Sequence, residues 1–171
     1  RDAVDKVLDK TGIKLKSKIS ASLKSAGYER LAAGRSVILL DCSIKEKNLY
    51  HGSLSFEMSF GRDRMIVNCG PTPFNNKKWE KALSSSAAHS TLVINDTNSS
   101  TNENYKQFNV NTSREITSGF EIISSRHNGY ENIYSAIHKR VLKLDCCLSQ
   151  DHFQLCYLKL KGNRIYFYLI Q

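Results

Sequence analysis

The chain has 171 residues, 40% of them apolar, enough for one domain with a real core and too few for two ordinary domains. Lys and Arg total 25 against 16 Asp and Glu, a formal charge of +9, so the surrounding field favours polyanionic partners: nucleic acid, anionic glycan or anionic lipid. There is no run of about eighteen apolar residues and no charged-then-apolar leader, which excludes a spanning helix and places any export signal upstream of Arg1.

Residues 1–26 alternate Lys and Asp with scattered Val, Leu and Ile, which predicts a short helix around Ala3 to Leu8 and then a basic linker. From Gly27 the character changes. Val37-Ile38-Leu39-Leu40 is an apolar, partly β-branched run that suits a buried strand. Ser53 to Phe60 alternates apolar and polar residues without a break, the pattern of a strand with one wet face. Gly61-Arg62-Asp63 supplies turn chemistry, and Met65-Ile66-Val67 resumes as the partner of an antiparallel hairpin.

Between Gly70 and Ser86, Pro71, Pro73, Asn75, Asn76 and several lysines predict a long surface loop carrying Trp79, the one indole of the chain. Ser90 to Ile94 reads as the next strand, and residues 97–113, rich in Asn, Ser and Thr, as loop. Phe120 to Ile123, Ala136 to Leu144, Phe153 to Leu160 and Ile165 to Ile170 are four further strand candidates, with Lys139, Arg140 and Lys143 placed on the outer side of theirs. The expected fold is therefore all-β, an antiparallel β-sandwich or curled multi-strand sheet, with 1–26 as linker or short helix and 27–171 as the β domain.

Five cysteines, Cys42, Cys69, Cys146, Cys147 and Cys156, form no C-x-x-C pair and read mostly as small buried hydrophobes. Among the five histidines, His51, His89, His127, His138 and His152, a structural role is the commoner expectation in a strand-rich domain. His51 and His89 stand out because each precedes a predicted strand, where side chains share an exposed rim. Converging imidazoles suit zinc binding or proton transfer near neutral pH. Asn68, at the end of the hairpin, is placed for a third ligand, although an amide binds zinc more weakly than a carboxylate. P-loop, G-x-G-x-x-G, G-x-S-x-G and H-E-x-x-H patterns are absent.

Three segments in register, Leu54-Ser55-Phe56-Glu57, Met65-Ile66-Val67-Asn68-Cys69-Gly70 and Ala87-Ala88-His89-Ser90-Thr91-Leu92, resemble the C-terminal β domain of heparinase II/III-like polysaccharide lyases. Gly27-Tyr28-Glu29-Arg30-Leu31, His127-Asn128-Gly129-Tyr130 and Ile137-His138-Lys139-Arg140 look like flanking blocks, so the likeness spans residues 27–145. The resemblance implies β-elimination on an acidic, uronate-containing polysaccharide, a parent protein with an N-terminal α/α toroid, and a periplasmic or cell-envelope location. It further implies a structural zinc, with His89 as ligand and Asn68 in the place of the metal-binding Asp. His51 is carried over as the catalytic histidine, one place closer to the strand than the family's usual histidine, whose slot holds Tyr50. Trp79 and Arg62 are candidate substrate-binding residues.

Beyond Asp145 the sequence no longer follows the family pattern, so the domain is expected to be truncated or degenerate there, and inactive without the toroid. A non-catalytic carbohydrate-binding or structural β module is the alternative. Nucleic-acid binding ranks last, because no basic motif is interleaved with aromatics.

Overall fold

The computed structural model describes residues 20–43, 50–70, 76–99 and 108–145, with the backbones of two further strands between 153 and 170. The helix expected near Ala3 to Leu8, the prolines, His152, Cys146 and Cys147 lie outside the described residues. The first sheet runs in chain order through β1 (Ala21–Leu23), β2 (Tyr28–Ala33), β3 (Ser36–Asp41), β4 (Phe56–Phe60) and β5 (Asp63–Ile66). The second comprises β6 (Val110–Ile116), β7 (Phe120–Tyr130), β8 (Ala136–Asp145), β9 (Phe153–Leu160) and β10 (Arg164–Ile170). Every pairing is antiparallel, so the expected all-β architecture is the observed one. Strand pairing begins at Ala21, earlier than the change of character at Gly27.

The sheets face each other across one apolar layer. Leu31, Ile38, Leu40, Leu54, Phe56 and Met58 come from the first half, and Ile123, Leu142 and Leu144 from the second. Each such side chain contributes roughly 1.5–3 kcal/mol by leaving water. Strand parity selects them: Leu142 and Leu144 point inward, whereas Val141 and Lys143 are only half-buried.

Charge also crosses the layer. Arg114 on β6 pairs with Glu29 on β2 at 2.8 Å and with Glu121 on β7 at 2.5 Å, and donates to the Arg30 carbonyl at 2.7 Å. Losing one partner would strand a largely desolvated charge.

The predicted hairpin forms, with Phe60 opposite Asp63 and Gly61-Arg62 between them. Gly61 has a φ of 61°, the left-handed first central position of a II′-type turn, which a side chain would strain.

Four local expectations are corrected. Strand β4 begins at Phe56, not Ser53, because Leu54 has a φ of 57° and turns the chain before the ladder starts. The expected loop from Gly70 to Ser86 contains helix α1 (Lys77–Ser84), capped by Asn76 Oδ1, which accepts from the Trp79 amide at 3.2 Å. Ser90 to Ile94 is no strand; its groups bond to side chains and carbonyls elsewhere, and Asn95 and Asp96 both take positive φ in the tight turn behind it. Residues 110–113, expected as loop, begin β6, where pairing with β7 overrides their polar composition.

Candidate functional site at the Tyr50, His51 and His89 cluster

The segment from Tyr50 to Ser55 leads into β4, and the irregular stretch from Ser86 to Ser99 folds over it. The two are joined mainly by small hydroxyl side chains. Ser86 Oγ donates to the His51 carbonyl at 2.7 Å, Ser99 Oγ reaches the same carbonyl at 3.0 Å, and Thr91 Oγ1 donates to the Ser53 carbonyl at 2.6 Å. Ser90 Oγ accepts from the Phe56 amide at 2.9 Å and donates to the Phe56 carbonyl. Tyr130, its phenol pushed up to about 12 by burial, anchors the far side by donating to the Leu92 carbonyl at 2.6 Å.

Helix α1 closes the cluster from above. Its Ser84 carbonyl accepts from the His51 amide at 2.8 Å, and its Leu83 carbonyl lies 2.9 Å from His89 Nε2. A carbonyl can only accept, so Nε2 carries a proton, and in the neutral ring Nδ1 presents its lone pair. That lone pair faces the Tyr50 hydroxyl at 3.5 Å, with ring centroids 4.4 Å apart, while the same hydroxyl lies 3.4 Å from Ser55 Oγ. Both distances are long for hydrogen bonds, leaving room for the phenol to re-aim. Gly52 permits the packing: a Cβ there would fall 2.6 Å from the Tyr50 phenol and 2.8 Å from His89 Cδ2.

His51 is close enough to His89 for their positive charges to repel. Burial first, and then His89, hold its imidazole below the usual histidine range. Burial raises the Tyr50 phenol, the Ser55 hydrogen bond lowers it less, and Asp41 and Glu57 add to the rise. Near neutral pH the cluster therefore combines a neutral imidazole, which can accept a proton, with an intact phenol, which can donate one.

The structure thus brings His51 and His89 to one rim, together with Tyr50. Trp79 is exposed on α1, one helical turn ahead of the Leu83 that bonds His89. Arg62 is elsewhere: it sits in the β4–β5 turn, at the opposite end of β4 from Phe56. Asn68 lies beside the cluster with its side-chain oxygen engaged, accepting from Ser90 N at 2.8 Å, with Ser90 Oγ 3.1 Å away.

Of the donors that the family likeness implies for a zinc site, Asn68 is the mismatch: it is an amide whose oxygen already accepts from Ser90 N. His89 donates through Nε2 to the Leu83 carbonyl, and its Nδ1 makes only the long contact with the Tyr50 hydroxyl. Among the described residues, no three His, Cys, Asp or Glu side chains converge to hold a metal ion.

Two features escape sequence reasoning. Arg140, expected on the outer side beside Lys139, points inward because neighbouring strand residues face opposite ways. It is 8% exposed, donates to the Leu54 and Ser90 carbonyls at 2.6 Å each, and lies over the Phe56 ring, tying β8 to both site segments. The second is the buried pair of His127 and His138, whose strand positions gave no hint of their contact beyond alternation. His127 Nδ1 accepts from the Gly129 amide at 3.1 Å, so its Nε2 donates to His138 Nδ1 at 2.9 Å. Burial and then the Arg140 charge push His127 down to about 3.

No curated protein and no solved structure matches the chain. The family model described as "Heparinase II/III-like, C-terminal" matches residues 16–149, with the candidate cluster inside the match, and the chain belongs to that family.

Proposed function

We propose that this chain is the C-terminal β domain of a polysaccharide lyase that cleaves an acidic, uronate-containing polysaccharide by β-elimination. The supporting observation is that Tyr50, His51 and His89 share one rim in a domain of this family. In β-elimination a base takes the proton at C5 of the uronate, the C4–oxygen bond breaks, its place is taken by a C4–C5 double bond, and an acid protonates the leaving oxygen. A neutral His51 is suited to the first task and the protonated Tyr50 to the last, while exposed Trp79 offers an apolar face to a sugar ring. Neutralising the uronate carboxylate, which the proton loss requires, would fall to the α/α toroid of the parent protein. The domain alone is accordingly inactive, and the compartment that suits the reading is the periplasm or cell envelope. No described helix is long and apolar enough to cross a membrane.

A non-catalytic carbohydrate-binding or structural module is the second reading, favoured by the engagement of His89 and Asn68 in bonds that hold loops together. Incubating the chain with heparan, alginate and a neutral glucan tests both. Retention on the uronate polymers without formation of unsaturated uronate is expected. Equal retention on the neutral glucan would overturn the acidic-substrate reading, and ultraviolet-absorbing unsaturated product from the chain alone would overturn its inactivity.

A further inference from the structure

The second sheet carries a separate surface that the elimination chemistry does not use. Between β6, β7 and β8, on the face turned away from the core, lies an open groove of about 520 Å³. That volume falls within the roughly 300–1,000 Å³ of ordinary ligand sites. Arg126 is its central cation, cross-strand from Asn111 on β6 and from Lys139 on β8. Ser113 and Ser124, also opposite each other, add hydroxyl groups, and Ile137 adds an apolar strip. The register of β8 with β9 shifts between Ile137 and Leu142, an irregularity of the kind that bends a sheet.

We propose that this groove binds a segment of acidic oligosaccharide, remote from the Tyr50, His51 and His89 rim; the choice of ligand rests on the lyase reading above. Charge complementarity supplies the argument. Arg126 and Lys139 place two cations side by side on adjacent strands, matched to carboxylate or sulfate groups, and an Arg fork takes such groups in a bidentate grip. Asn111, Ser113 and Ser124 provide donors and acceptors for sugar hydroxyls, and Ile137 an apolar patch for ring C–H groups. None of the described lining residues is aromatic, so the groove lacks the stacking platform on which single-stranded nucleic acids depend. Lys143, on the same face toward one end of β8, sits over the Phe120 ring at 4.2 Å and extends the positive field.

The test is amide NMR of the full chain titrated with a uronate tetrasaccharide, a neutral tetrasaccharide and a short single-stranded oligonucleotide. Saturable shifts at Asn111, Ser113, Ser124 and Arg126 with the uronate sugar alone are expected. Arg126→Ala with Lys139→Ala should raise the dissociation constant read there by about tenfold or more while leaving the rest of the spectrum in place. Should the double variant fold poorly, Ser124→Tyr, which fills the groove without removing charge, should block the same shifts. Uronate shifts confined to the His51 and His89 region would overturn the groove while sparing the lyase reading. Tighter binding of the oligonucleotide, or equal binding of the neutral sugar, would overturn the assigned ligand class.

Discussion

The Tyr50 hydroxyl faces Nδ1 of His89 at 3.5 Å, and the rings pack 4.4 Å apart over Gly52. The contact joins the segment before β4 to the turn after helix α1. It depends on the missing Cβ at residue 52. Gly52→Ala should therefore separate the rings: the His89 imidazole signals should move in NMR while the buried His127 and His138 signals stay. An unchanged His89 environment would show that the neighbours absorb the methyl group without moving.

The buried histidine pair makes stability depend on pH. His127 titrates near 3 in the folded chain and near 6.5 when unfolded, and His138 shifts in the same direction. The unfolded chain thus binds protons that the folded chain refuses. Their contribution is intact above about pH 6.5 and is lost as pH falls toward 3, at about 1.4 kcal/mol per pH unit for His127. Urea unfolding at pH 7 and pH 5 should differ by roughly 2 kcal/mol or more. Removing the imidazole in His127→Phe should lessen the dependence, leaving the His138 contribution, and a wild-type profile already flat over this range would contradict the assignment.

Arg140→Met should cost roughly 2–4 kcal/mol, because the Leu54 and Ser90 carbonyls lose a charged donor within the sandwich. Arg140→Lys should recover only part, since one ammonium does not reproduce the planar fork. Chemical denaturation checks both. A loss below about 0.5 kcal/mol, the scatter of surface substitutions, would mean that the two carbonyls find other donors.

Zinc titration of the purified chain should show only weak uptake, because the amide of Asn68 stands where the likeness implies a carboxylate and its oxygen already accepts from Ser90. One equivalent bound tightly and lost in His89→Ala would mean that this hydrogen bond gives way to the metal.

Much of the fold was legible because period-two alternation survives at Phe56 to Phe60 and strand-like runs mark Val37 to Leu40 and Ala136 to Leu144. What was not legible depended on tertiary context. Leu54 takes a positive φ that its residue type does not announce, and β6 pairs despite a run of Asn, Thr and Ser. Helix α1 spans only eight residues and buries none; the i, i+3, i+4 spacing of Trp79, Ala82 and Leu83 behind the Asn76 cap was outweighed by the Pro, Asn and Lys composition around it. In the site, His51 and His89 were expected to converge because each was read as preceding a strand; His51 does precede β4, but the segment after His89 is no strand, and loop closure brings the two together. The Tyr50 contact with His89 was not expected, because only the closure of the loop brings residues so far apart in sequence into contact. Arg140 was misplaced by grouping it with Lys139 when strand parity separates them.

The lyase reading requires an acidic saccharide to engage the rim formed by Tyr50, His51 and His89. Long-range imidazole NMR of the full chain, titrated to saturation with a uronate oligosaccharide, measures this most directly. The His51 and His89 ring signals should shift while those of buried His127 and His138 do not. Unmoved His51 and His89 signals at saturation would contradict it.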